Sequence, residues 1–138
     1  MGWDLQGHPF YAGRVSYRQR FSVDRLSGRY VVSLPDWYGS VAEVLVNGKA
    51  AGYIFSAPWE CDVTTFVRRG ANEIDVRVIG TLKNTLGPHH GNPPLGSAWP
   101  GMFRVGPENG PPPGVQYHTV SYGLFEPFVL KQVLASDR

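Results

Sequence analysis

The sequence predicts an all-β fold, a jelly-roll β-sandwich of about eight short antiparallel strands with one short helical turn. Three observations lead there. Glycine and proline are abundant, at 17 and 12 of 138 residues, which divides a chain into short elements rather than long helices. Several segments alternate apolar and polar residues with period two, the mark of strands that bury one face. Asn47-Gly48 sits between two strand-like segments, and Asn-Gly suits the positive φ angles of a two-residue hairpin turn. The length suits a single domain, residues 1–138, with its own core. Hydrophobic residues make up 42% and charged residues 17%, a balance that argues against disorder.

The elements follow in order. Residues 1–13 are irregular, punctuated by Gly7, His8-Pro9 and Gly13. Val15, Tyr17, Gln19, Phe21 and Val23 then alternate with Arg14, Ser16, Arg18, Arg20 and Ser22, a half-buried strand with a basic outer face. After the Ser27-Gly28 turn, 29–34 form a second strand stopped by Pro35-Asp36. Trp37-Tyr38-Gly39 reads as an aromatic connection. The hairpin 41–46 and 50–55 closes at Asn47-Gly48. Trp59, after Pro58, reads as mainly structural. Asp62 is placed to cap a helical turn over 63–67, with Arg68-Arg69 suiting its C-terminal end. Residues 72–79 are a strand with Ile74, Val76 and Val78 facing in and Glu73, Asp75 and Arg77 facing out. Phe103 and Val105 start a short strand, 107–114 is a proline-rich turn, and 120–124 and 128–133 supply the last strands.

Composition bounds function. The net charge is +2 and the basic residues are dispersed, so no nucleic-acid-binding patch is formed. Cys61 is the single cysteine, so no internal disulfide forms. No apolar run is long enough for a membrane span. Met1 is followed by Gly-Trp-Asp, which is no signal peptide. The chain is either a complete small protein or an excised module.

The stretch Thr81–Arg104 follows the best strand and is too long for an ordinary turn. Loops longer than about 12–15 residues in a compact fold are functional or disordered, and a disordered linker has little use for Trp99, Met102 and Phe103. His89-His90 invites a metal reading. Neighbours in an extended chain point to opposite sides, and no cysteine or acidic cluster supports them, so no metal site is assigned. A structural calcium site built from backbone carbonyls leaves no trace in sequence; no cofactor is expected otherwise. No catalytic residue is assigned either. Hydrolysis by paired acid and base needs two carboxyls facing one cleft, and Asp62, Asp36, Glu73 and Asp75 have structural uses, while Glu60, Glu108 and Glu126 stay unassigned.

The motifs, taken together, resemble a known family. Gly13–Phe21 matches a G-x-V-x-Y-R-x-x-F opening strand, Val44–Gly52 a V-x-V-N-G-x-x-x-G hairpin, Asp62–Thr64 a D-[IV]-T turn and Gly70–Val78 a G-x-N-x-[IL]-x-V-x-V strand. Each motif alone is weak; their order and spacing are more specific. The chain resembles, over 7–133, the sugar-binding β-sandwich domain of glycoside hydrolase family 2 and related glycosidases, which has the galactose-binding-domain-like fold. TLKNTLGPHH looks like a segment of such domains in bacterial glycosidases. The resemblance implies a domain that is usually non-catalytic, the catalytic barrel lying elsewhere in the parent chain, and carbohydrate or that catalytic domain as partner. Related modules often hold a structural calcium. An extracellular or periplasmic parent protein fits this picture.

A sugar exposes C–H faces and hydroxyl edges, so its site needs an aromatic platform beside polar groups. The loop offers Trp99 as platform and Lys83, Asn84, His89 and His90 as partners; Trp37 and Tyr38 are further candidates. The bland alternative has Trp99 closing the sandwich end, His89 or His90 bonded to backbone, and Trp37 and Tyr38 packed as a core lid. Three functions follow: a non-catalytic carbohydrate-binding module, a structural accessory domain packed on a glycosidase catalytic domain, or a small carbohydrate-active enzyme.

Overall fold

The computed structural model describes residues 1–88, 99, 101, 110 and 113–134. Among these, nine strands form: β1 (Arg14–Val23), β2 (Arg29–Ser33), β3 (Trp37–Tyr38), β4 (Val41–Val46), β5 (Lys49–Ile54), β6 (Glu60–Asp62), β7 (Gly70–Ile79), β8 (Gly123–Leu124) and β9 (Val129–Val133). They pair antiparallel into a four-stranded sheet β1-β7-β4-β5, a three-stranded sheet β6-β2-β9 and a two-stranded ribbon β3-β8. The fold is an all-β sandwich, as the sequence predicts. The expected strand at Phe103 and Val105 and most of the proline-rich turn lie outside the described residues.

The period-two pattern sets which side faces the core. Ile74, Val76 and Val78 of β7 and Val44 and Val46 of β4 are fully buried, and Val32, Leu34, Ile54, Val63 and Tyr122 close on them. Burial of such apolar surface is the main favourable term in folding. The opposite face of the four-stranded sheet is a lattice of charge. Arg18 reaches Asp75 at 3.4 Å, Arg20 reaches Glu73 at 3.1 Å and Arg77 reaches Glu43 at 3.5 Å. Asp75 points outward as the alternation predicts, yet only 7% of it is exposed, because the Arg18 and Arg77 side chains cover it.

The hairpin turn is as read from Asn47-Gly48. Val46 pairs with Lys49, leaving two loop residues, with φ of 52° at Asn47 and 79° at Gly48. Both angles are positive, as a type I′ turn requires. A Cβ at Gly48 would meet open space, so a Gly48→Ala variant reports backbone strain without a clash. It is expected to lose about 1 kcal/mol, seen as a lower urea midpoint with an unchanged denaturant slope.

The helical turn is a 3-10 turn over Thr64–Phe66. Asp62 stands ahead of it and accepts hydrogen bonds from the Thr64 N–H (3.0 Å) and hydroxyl. The Arg29 guanidinium donates to the same carboxylate at 2.7 Å. The two Thr64 bonds and then Arg29 lower the Asp62 pKa from 3.8 to about 2. A carboxyl with a depressed folded-state pKa contributes stability above its ordinary pKa and loses it as pH falls through the folded value. Stability therefore falls between pH 3.8 and about 2, and Asp62→Asn should flatten that part of the profile in urea titrations at stepped pH. The carboxylate is partly exposed, so salt is expected to shrink the Arg29 share.

Three local elements differ from the sequence reading. Trp37-Tyr38 is a strand rather than a connection, because Trp37 lies opposite Leu124 and Tyr38 opposite Gly123. The segment 120–124 is strand only over that pair. Residues 60–62 form β6 by pairing with β2, Ser33 lying opposite Glu60.

Candidate functional site

Three chain segments meet at one end of the sandwich. The first is β3 with the residues either side of it. Ser40 donates its N–H to the Ile79 carbonyl (2.8 Å) and its hydroxyl to the Gly80 carbonyl (3.0 Å), pinning β3 to the start of the long loop. The second is the bend before β6, where Leu34 donates to the Trp59 carbonyl at 3.0 Å. The third is the loop itself, whose Thr81 hydroxyl is hydrogen-bonded to the Tyr122 hydroxyl.

Aromatic rings fill this end. Tyr38 stacks on Tyr122 with centroids 5.6 Å apart and planes at 17°, and Tyr122 leans on Trp3 at 5.7 Å. Tyr122 is buried, and that burial raises its pKa above the usual phenol value. On the other side Trp37 meets Trp59 at 5.5 Å with planes at 82°. This edge-to-face arrangement is one that aromatic pairs favour. Between them lies a cleft of about 270 Å³ lined by Pro35, Asp36, Trp37, Tyr38, Gly39 and Trp59. Asp36 is exposed at its rim, and the Asp36 carbonyl accepts from the Phe125 and Glu126 N–H groups at 2.9 and 3.3 Å. Those two bonds fix the backbone that presents its carboxylate.

Trp59 is 40% exposed and has φ of +56°. A bulky residue in the left-handed region is strained, and such strain gathers at functional sites. Here its N–H donates to Ser56 (3.1 Å) and its carbonyl accepts from Leu34, so the backbone is held at both ends.

The residues singled out in the sequence fall in different surroundings. Trp37 and Tyr38 line the cleft, half-buried. Lys83 and Asn84 lie in the four-residue helix α1 (Lys83–Leu86) at the loop's start. Lys83 Nζ donates to the Gly87 and His118 carbonyls at 2.8 and 2.7 Å, and partial burial lowers its pKa. Asn84 is fully buried; its amide donates to the Val120 carbonyl (2.8 Å) and accepts from the Val120 N–H (2.9 Å). Both side chains thus tie the loop to 118–120. Trp99 is 62% exposed. His89 and His90 lie outside the described residues. Among the described residues, no group of three His, Cys, Asp or Glu is placed to hold a metal ion, and no helix is long and apolar enough to cross a membrane.

Sequence reasoning gave Trp59 and Asp36 structural uses and did not bring them together. The only sequence signal was two tryptophans close behind prolines, Pro35-Asp36-Trp37 and Pro58-Trp59. What joins them is the β2–β6 pairing, which a single sequence does not display.

Comparison with known proteins agrees with this architecture. No family model matches the chain. A protein of Formosa agariphila named "Putative beta-glucuronidase" is 34% identical over 84 residues, which is 59% of this chain and 7% of that protein. The rhamnosidase of Novosphingobium sp. PP1Y superposes with a TM-score of 0.59 at 26% identity, over 88% of this chain and 11% of that one. The beta-D-glucuronidase of Dictyoglomus thermophilum shares the fold, with a TM-score of 0.51 at 21% identity over 92% of this chain and 21% of its own. The chain thus spans about a tenth of the length of the first two relatives.

Proposed function

From a chain related to the sugar-binding β-sandwich domain of glycoside hydrolase family 2 and related glycosidases, we propose a non-catalytic carbohydrate-binding module, residues 1–138, of a multidomain glycoside hydrolase. The observation that carries this reading is the right-angled pair of Trp37 and Trp59 beside Asp36. One indole offers a flat apolar surface to the C–H face of a pyranose, and the other walls the cleft. The Asp36 carboxylate accepts hydrogen bonds from sugar hydroxyls, and charge-assisted bonds of this kind are the strong ones. Trp99, exposed on the long loop, and His89 and His90 of the same loop are proposed as further sugar contacts. Lys83 and Asn84 support this surface by holding the loop's first turn.

Affinity electrophoresis in gels cast with a panel of soluble polysaccharides tests the proposal. At least one polysaccharide is expected to retard the chain. A second reading, an accessory domain that packs on a catalytic domain, is favoured by Leu82 and Leu86, which α1 and its flank leave 59% and 64% exposed. It predicts no retardation on any glycan and self-association of the isolated chain in sedimentation.

A further inference from the structure

The Trp37–Trp59 cleft also carries a charge. The charged group in its described lining is Asp36. Acids elsewhere on the sandwich are neutralised by neighbours: Glu43, Glu73, Asp75 and Asp62 by arginines, and Glu60 by Lys131. Asp36 is exposed and has no ion pair among the described residues. What ties Asp36 to the fold is its backbone, whose carbonyl accepts from the Phe125 and Glu126 N–H groups. The carboxylate is thus free to meet a ligand.

A carboxylate beside two indoles attracts a cation in two ways. The face of an aromatic ring is the negative side of its quadrupole, and tryptophan holds an ammonium better than the other aromatic side chains do. Trp37 and Trp59 stand with their planes at 82°, so the two rings bound a corner, and Trp59 is 40% exposed there. An ammonium also brings three hydrogen-bond donors and no acceptor, and its bond to a carboxylate is charge-assisted on both sides. At about 270 Å³ the cleft lies at the small end of ligand sites, which suits one sugar ring rather than a run of them.

Resting on the glycan reading above, we infer that this cleft selects an amino sugar, a pyranose bearing a free ammonium. Asp36 receives the ammonium, and the two indoles face the cation and the C–H surface of the ring. A neutral sugar meets the same aromatic surface without the charge pairing, and an acidic sugar meets repulsion from Asp36. The chain's net charge of +2 opposes a general attraction for a cationic glycan, so a preference for one must arise locally.

Calorimetric titration of the full chain at mildly acid pH, where the sugar amine is protonated, tests this. The probes are the linear trisaccharides of glucosamine, N-acetylglucosamine and glucose, and tetramethylammonium chloride as an ammonium without a sugar. The glucosamine trisaccharide is expected to bind at least tenfold more tightly than each of the other three. Asp36→Asn should bring its affinity close to that of the glucose trisaccharide. This variant keeps the backbone carbonyl that holds Phe125 and Glu126, so it should fold. The inference is overturned by equal affinity for the acetylated or the glucose trisaccharide, by equal affinity for tetramethylammonium (a simple ammonium site), or by an Asp36→Asn chain that keeps the preference. Binding of neutral sugars with no gain from the amine overturns this inference and leaves the binding-module reading standing. No binding of any trisaccharide, together with no retardation on any polysaccharide, overturns both.

Discussion

Asn72→Ala is expected to destabilise the chain by about 3 kcal/mol, a large fraction of the 5–15 kcal/mol typical of a folded domain. Asn72 is 3% exposed, and its amide makes four hydrogen bonds. Oδ1 accepts from the Arg68 N–H (3.0 Å) and from Asn47 Nδ2 (2.9 Å). Nδ2 donates to the Arg68 and Gly70 carbonyls at 2.7 and 2.9 Å. Asn47 carries the link onward, since its backbone N–H donates to the Glu73 carbonyl (2.8 Å) and its side-chain oxygen accepts from the Glu73 N–H (3.1 Å). Two asparagines thus bind the hairpin turn, the 68–70 connection and the start of β7 into one corner. Truncation leaves several buried groups without partners, each costing about 1–3 kcal/mol. Asn72→Asp should lose nearly as much, because an ionised carboxylate cannot donate to two carbonyls. Urea unfolding followed by tryptophan fluorescence checks this against Glu73→Gln, which gives up only the surface ion pair with Arg20 and is expected within about 1 kcal/mol of wild type. A loss below about 1 kcal/mol for Asn72→Ala would refute the account of this corner.

The second large effect is on binding. Trp59→Ala removes one wall of the cleft and also relieves little of the strain at φ of +56°, since alanine too is disfavoured there. Anchoring aromatics of a binding site commonly contribute about 2 kcal/mol or more when truncated, which is about thirtyfold in Kd. Trp37→Ala should weaken binding similarly but also cost stability, because Trp37 packs against the core and sits in β3 opposite Leu124. Calorimetric titration of the glycan that retards the chain most, together with urea unfolding of each variant, separates the two contributions. A Trp59→Ala chain that binds within threefold of wild type would remove the cleft from the proposal.

Much of the fold was legible because its signals are local. The alternation in 14–23 and 72–79 places Val15 and Val76 inward without knowledge of any partner. Asn47-Gly48 announces its turn because two positive φ angles are required within two residues. The site was less legible because its parts meet through pairing. Trp37-Tyr38 becomes a strand only when Gly123-Leu124 comes alongside. Trp59 reaches Trp37 only through the β2–β6 register. Asn84 shows a further limit: an amide in a polar loop reads the same in sequence whether it awaits a ligand or, as here, is occupied by the backbone of Val120. Asn72 is similar, standing in a recognisable G-x-N motif whose partners include an asparagine 25 residues earlier.

The central claim is that the end of the sandwich formed by Trp37, Trp59 and Asp36 holds a sugar. The most direct test runs wild-type and Trp59→Ala chains side by side in native gels with and without each polysaccharide of the panel. The account predicts that at least one polysaccharide slows the wild-type chain, and that Trp59→Ala, folded by its unfolding curve, runs there as it does in the plain gel. Equal retardation of both chains, or no retardation of the wild type on any polysaccharide, would contradict it.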